Sequence, residues 1–270
     1  MKALMKAEFF RILKDNSFFI LMGILLGMMM FSTFAQWGLT QLIANMAHIP
    51  GGMLSYSADS SLFASFTILG GGSIIVVIGI IIICTKSFSS GAIRDNIIAG
   101  YKRFQIYLSS YLVHLILFLG SVLISVLLNY FFANILFGFK IETSWDIFIN
   151  YLLIGILHYI FVITLTFVLA IVFKSLAISL VTAIGLSVAF SFLALIANAN
   201  FEINLVLLFL LKLIPYYQNA YISSGASSLL MGITTKLETT DIVIFIISTV
   251  FWIILSFSLG YISLRKTDLK

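Results

Sequence analysis

Six long apolar runs dominate the chain, at 17–34, 62–84, 106–137, 147–173, 176–197 and 242–264, and none contains Asp, Glu, Lys or Arg. About 20 mostly apolar residues cross a bilayer as a helix. Each run is therefore expected to be a transmembrane helix. The third and fourth exceed the minimum, so they are expected to tilt or project beyond the hydrocarbon. Lys174 separates the fourth and fifth runs and leaves only a tight turn between them.

A seventh apolar stretch, 203–214, is too short to span; Lys212 interrupts it and Pro215 ends it. Tyr216, Tyr217 and Tyr221 follow. Such amphipathic rings favour the headgroup level. Ser223, Ser224 and Gly225 make a turn-like break before a second short apolar piece at Leu229, Leu230 and Met231. This pattern predicts a re-entrant helical hairpin over 198–241, dipping into the outer leaflet before the last span. The outer loop at 37–61 carries Pro50, Gly51, Gly52 and one acid, Asp59.

The first fifteen residues have a different period. On a helical wheel Met5, Phe9, Ile12 and Leu13 share one face, and Glu8, Arg11, Lys14 and Asp15 the other. Lys2 and Lys6 flank the apolar face, where their stems can snorkel. This predicts an amphipathic helix over 1–15 lying in the interface plane. A plain topogenic anchor has the same pattern.

The segment 85–105, between the second and third runs, is polar yet patterned. Ile93 and Ile97, four apart, share one side of a short helix. Gly91 and Gly100 bracket it where the chain must turn. Arg94, Lys102 and Arg103 make it basic. A basic headgroup-binding loop is one reading; a helix presented to a partner protein is the other.

Composition agrees with the apolar pattern. Of 270 residues, 61% are hydrophobic and only 9% charged. Soluble domains carry about 25% charged residues, so a lipid-facing surface is the one this composition fits. The net charge of +5 comes from residues at the ends of apolar runs, which argues for orientation in the membrane and against nucleic acid. With the N-terminus in the cytoplasm, twelve of the fifteen basic residues fall on the inner side, leaving Lys140, Lys212 and Lys236 outside. The excess of Lys and Arg inside sets this orientation, and six spans return Arg265 and Lys266 to the cytoplasm. Thr33, Phe34 and Ala35 resemble a signal cleavage site, but the charged segment ahead of them is long, so the first run is expected to be retained as a span. No attached soluble domain and no internal repeat are expected.

Chemistry-bearing residues are few. Cys84 is the one cysteine, which excludes an internal disulfide. His114 and His158 lie in different spans with no Cys, Asp or Glu there to complete a metal site. No Gly-x-Ser-x-Gly or His-Glu-x-x-His motif and no intramembrane Glu pair appears, which disfavours an intramembrane enzyme. The absence of Asp, Glu and Lys from the runs disfavours a secondary transporter with an ion relay. Gly70, Gly71, Gly72 and Ser73 suit close helix packing or a hinge, Gly185 and Ala189 close packing. Asn129 and Asn134, near the outer end of the third run, are expected to cap the interface, with lining of a pathway as the alternative.

The loop carries a resemblance. Ser90, Gly91, Ala92, Ile93, Arg94, Asp95, Asn96 and Ile97, then Ala99, Gly100, Tyr101, Lys102 and Arg103, then Ile106, Tyr107, Leu108 and Ser109, resemble the corresponding loop of ABC-2 type ABC transporter permeases. Ser110 stands where that family often has Lys, and Tyr101 and Lys102 where Ile-Ser is common. The similarity extends to the whole-chain plan of interfacial helix, six spans, inner loop and outer hairpin. The resemblance implies an all-α permease domain over 1–270 that dimerises, as a homodimer or with a homologous permease, and docks a cytoplasmic ATPase subunit. The loop helix would be the coupling helix, with Gly91, Ile93, Arg94, Asn96, Ile97, Gly100 and Arg103 as ATPase contacts. ATP and Mg would belong to the partner, since the chain has no Gly-x-x-x-x-Gly-Lys-Ser/Thr phosphate loop; no cofactor is expected in this chain. The implied function is export of an amphipathic cargo (a bacteriocin-type or other antimicrobial peptide, a lipid-like molecule or a drug) across the cell membrane. A non-transporting scaffold or sensor subunit is the alternative.

Overall fold

The computed structural model describes residues 1–46, 57–65, 72–139, 145–198 and 239–266. All elements among them are α-helices: α1 (Lys2–Lys14), α2 (Asn16–Met46), α3 (Ala58–Ser65), α4 (Gly72–Ser89), α5 (Ala92–Ile98), α6 (Arg103–Phe137), α7 (Trp145–Phe173), α8 (Leu176–Asn198) and α9 (Thr239–Lys266). Four are long and apolar enough to cross a membrane, over Asn16–Leu42, Arg103–Phe137, Phe148–Phe173 and Ile242–Lys266. A fifth candidate is the pair formed by α4 and α5, bent by 51°; the apolar part of α8 at Leu176–Ala189 is shorter. The protein is thus an all-helical, multi-pass membrane protein. At 1.5 Å per residue the 35 residues of α6 reach about 52 Å, well beyond a hydrocarbon core of about 30 Å.

Two boundaries differ from the apolar pattern. At the second run, 62–84, helix begins earlier and ends later than the apolar residues: α3 starts at Ala58 and α4, from Gly72, continues to Ser89, with 66–71 outside the described residues. The reason is chemical: Asp59, Ser60, Ser61 and Ser65 are all buried, so a hydropathy window reads as loop a piece that packs inside the bundle. The hairpin expected over 198–241 lies outside the described residues except at its ends, where Asn198 closes α8 and Thr239 opens α9.

Every Lys and Arg among the described residues lies at one end of the bundle, together with α1, α5 and the end of α9. Asp15 organises the first corner. It is extended after α1 (φ −80°, ψ 113°), and its carboxylate accepts from the Ser17 N–H at 2.9 Å. That is an N-cap bond to the second helical residue of α2. Lys174 closes the two-residue link between α7 and α8 in the left-handed region, at φ 51°.

α7 is the most enclosed of the long helices and packs against α4, α6, α8 and α9. Little hydrophobic force drives helices together in lipid, so small residues and polar contacts decide the packing. Gly260 of α9 is one such point. A Cβ there would meet Tyr107 Oη at 2.5 Å and Val168 Cγ2 at 2.9 Å. The Tyr107 hydroxyl donates to the Phe257 carbonyl at 2.8 Å. Gly79 plays the same part toward the Phe118 ring, 2.8 Å from where its Cβ would lie. Gly185, by contrast, has nothing within 4 Å of a built Cβ and is exposed, so it supports no close packing among the described residues. Of the glycine run, Gly72 opens α4 and Ser73 is buried, while Gly70 and Gly71 lie outside the described residues.

In the half of the bundle away from the basic end, Asn129 is fully buried. Its Oδ1 accepts from Thr33 at 3.0 Å and its Nδ2 donates to Ser65 at 2.9 Å. Tyr159 donates to the Ser65 carbonyl at 3.1 Å, and Tyr130 to Asp59 at 3.2 Å. Asn134 donates to the Tyr130 carbonyl at 2.8 Å. Asn129 therefore does not cap an interface as expected. It ties α2, α3 and α6 together, because a buried amide must spend its hydrogen bonds inside the protein.

Candidate docking surface at the basic end

α4 ends where Ser90 and Gly91 turn the chain. Gly91 sits at φ 75°, left-handed backbone that costs an L side chain roughly 1–2 kcal/mol. Its N–H reaches the Phe88 carbonyl at 3.2 Å, and its own carbonyl accepts from Asp95 N–H at 3.0 Å. One residue thus ends α4 and caps α5. α5 ends the same way: Gly100, at φ 87°, donates to the Ile97 carbonyl at 2.9 Å, and Tyr101 to the Asn96 carbonyl at 3.2 Å. This paired bonding is a Schellman motif with glycine in the left-handed position. α6 then starts at once, with the Lys102 N–H bonded to Gln105 Oε1 at 3.3 Å. The outcome is a seven-residue helix closed at both ends by glycine turns.

The faces of α5 are unequal. Ile93, Asn96 and Ile97 are half-buried. Ile93 and Asn96, with Leu4 and Glu8 of α1, line a cavity of about 30 Å³, room for about two waters. Arg94, Asp95 and Ile98 point outward; Ile98 is 75% exposed. Arg103 turns back to α9, donating to the Arg265 carbonyl at 2.5 Å, where a cation suits a helix C-terminus. Of the residues expected to touch a partner, the structure therefore brings Arg94 and Gly100 to the surface. Gly91, Ile93, Asn96 and Ile97 are half-buried against the bundle, and Arg103 holds the end of α9. Ile98 is the exposed residue that sequence reasoning passed over. Its signal was there, since Arg94 and Ile98 are four apart and share a face.

α1 is fastened to the same region. Its Glu8 and Arg11 were expected on a water-facing side, yet they turn toward α4 and α6. Arg11 donates to Glu8 at 2.5 Å and to the Ser87 hydroxyl; Ser110 of α6 donates to Glu8 at 3.2 Å. The wheel divided the faces differently: Leu4, on the side of Arg11 and Asp15, is buried with Ile12, and the ends of α4 and α6 at the basic side offer hydroxyls that draw Arg11 and Glu8 inward. Lys86 of α4 donates to both Asp15 oxygens, at 2.8 and 3.0 Å, and to Ser17 at 2.8 Å. The Lys86 ammonium, with the bonds from Ser17, holds the Asp15 carboxyl below its ordinary value.

His114 and His158 are each fully buried, in α6 and α7. His114 Nδ1 bonds the Ser110 carbonyl at 2.8 Å, and its ring stacks on Phe118. Among the described residues no group of three or more His, Cys, Asp or Glu is placed to hold a metal. No family model matches the chain, and no curated protein matches it either.

Proposed function

We propose that this chain is the transmembrane permease subunit of an ATP-driven exporter of the ABC-2 type. The observation that carries the reading is the helix α5, fixed between the left-handed glycines Gly91 and Gly100 and offering Arg94 and Ile98 at the basic end. A free loop would absorb a push from a partner; a short helix anchored at both ends, and packed on α4 and α6, transmits it. In this reading α5 is the coupling helix and docks a separate cytoplasmic ATPase that binds ATP and Mg. The inner side is the basic end, as the excess of Lys and Arg there favours. The chain has six spans, with α4 and α8 counted among them, and works as a dimer in the cell membrane. The cargo is amphipathic, a peptide, lipid-like molecule or drug, consistent with spans free of Asp, Glu, Lys and Arg.

The test is affinity purification of the chain in mild detergent. A stoichiometric soluble ATPase is expected to co-purify, and to be lost from Ile98→Asp and Arg94→Glu while membrane insertion stays normal. Recovery without any ATPase, under conditions that keep other membrane complexes whole, rejects the permease reading in favour of a scaffold or sensor. Wild-type transport in Arg94→Glu would remove α5 from the mechanism.

A further inference from the structure

The corner between α1 and α2 packs beside the end of α4. Between them lies an open cavity of about 320 Å³ whose polar wall is Arg11, Asp15, Lys86, Ser89 and Ser90. Its depth is defined by the chain itself. Asp15 immediately precedes the apolar span that begins at Asn16, and Lys86 lies in the last turn of α4, which is otherwise strongly apolar. The cavity therefore sits where hydrocarbon gives way to headgroups. Phe19 and Ile20, in the first turns of α2, are exposed at 57% and 62% and begin a lipid-facing surface there.

We propose that this cavity binds the phosphodiester group of an anionic membrane phospholipid. The Arg11 side chain, 31% exposed, lines the cavity; the Nη2 of its guanidinium is bonded to Glu8 and Ser87, and the group carries further N–H donors that suit phosphate oxygens. The Ser90 hydroxyl has only a 3.5 Å contact to the Ser87 carbonyl, at the limit of a hydrogen bond, so it turns to a phosphate at little cost. Ser89 donates to the Lys86 carbonyl at 3.1 Å and completes the wall. Glu8 and Asp15 balance Arg11 and Lys86, and exposed Lys14 at the end of α1 makes the sum positive. The basic end as a whole attracts an anionic leaflet. A zwitterionic headgroup carries the same phosphodiester but sets its own cation against that field, and so gains less from it. The site does not depend on the ATPase reading, since its donors lie on α1 and α4.

The test is native mass spectrometry of the purified chain titrated with phosphatidylglycerol, with phosphatidylcholine and with inorganic phosphate. Phosphatidylglycerol is expected to bind in preference to phosphatidylcholine. Arg11→Gln should weaken it about fivefold, the weight of one basic residue at a membrane surface. Ser90→Ala, which preserves every charge, should weaken it in the same direction, and Lys102→Gln, a charge loss at the same end outside the cavity, should weaken it less than Arg11→Gln. Equal binding of the two lipids overturns the proposal, and so does equal weakening by Lys102→Gln and Arg11→Gln. Displacement of the lipid by millimolar inorganic phosphate would make this a free-anion site and overturn the lipid assignment. If Arg11→Gln does not fold, Ser90→Ala decides.

Discussion

The helix α5 and the cluster around Asn129 are two polar regions among the described residues, and they use polarity in opposite ways. Around Asn129 each hydrogen bond is spent within the bundle. Thr33, Ser65 and Tyr159 converge from three helices, and removing one member strands another out of reach of water. At α5 the backbone bonds are closed by two glycine turns, while Arg94 and Ile98 are left over at the surface. Buried polarity that is fully paired pins helices. Exposed side chains on a helix closed at both ends leave stability untouched and are available to a partner.

The largest effect should come from a site that neither region contains, which calibrates the scale. Gly260→Val forces a side chain into Tyr107 and Val168 and should cost about 3 kcal/mol by overpacking, read as a large fall in thermal midpoint in detergent. Asn129→Leu should cost about 1–2 kcal/mol, since Thr33 and Ser65 both lose a partner. A double-mutant cycle with Thr33→Val should show coupling; strict additivity would break the idea that the cluster acts as a unit.

Gly100→Ala should cost about 1 kcal/mol for its left-handed backbone and should also weaken partner recovery, because α5 loses its anchor. Asp15→Asn retains the N-cap and removes only the ion pair, at about 0.5 kcal/mol for a pair this exposed. The sign with pH follows from the lowered carboxyl of Asp15. The difference between wild type and Asp15→Asn should be fully present above the unfolded carboxyl value of about 4 and should vanish as pH falls through the lowered folded value. Denaturation midpoints from pH 7 down to pH 3 would read it. Ile98→Asp should change stability least, within about 0.5 kcal/mol. A large destabilisation there would mean that Ile98 is packed after all and would erase the contrast between the two regions.

How much of this could be read in advance follows from the range of each interaction. The helices α1, α2, α6, α7 and α9 were legible because apolar runs and the short amphipathic period at the start are local properties. The two turns around α5 were legible for the same reason, since Gly91 and Gly100 announce left-handed backbone. The start of α3 at Ala58 was not, because Asp59, Ser60 and Ser61 look like loop residues until α6 and α7 enclose them. Nor was the inward turn of Glu8 and Arg11, which answers to Ser87 and Ser110 from elsewhere in the chain. Ile93 and Ile97 were visible as a face, but which face met the bundle depended on how α4 and α6 pack against it.

By itself, then, the sequence determined the solvent this protein requires, the helical class and the end at which its positive charge gathers. Those follow from transfer of side chains into lipid and from backbone conformation, each settled within a turn or two of chain. The tertiary structure alone decided which polar groups are paired and which are left over: Asn129 spent, Arg94 and Ile98 unspent. Pairing is a matter of distances of about 3 Å between residues tens of positions apart, and only the packed bundle brings them that close.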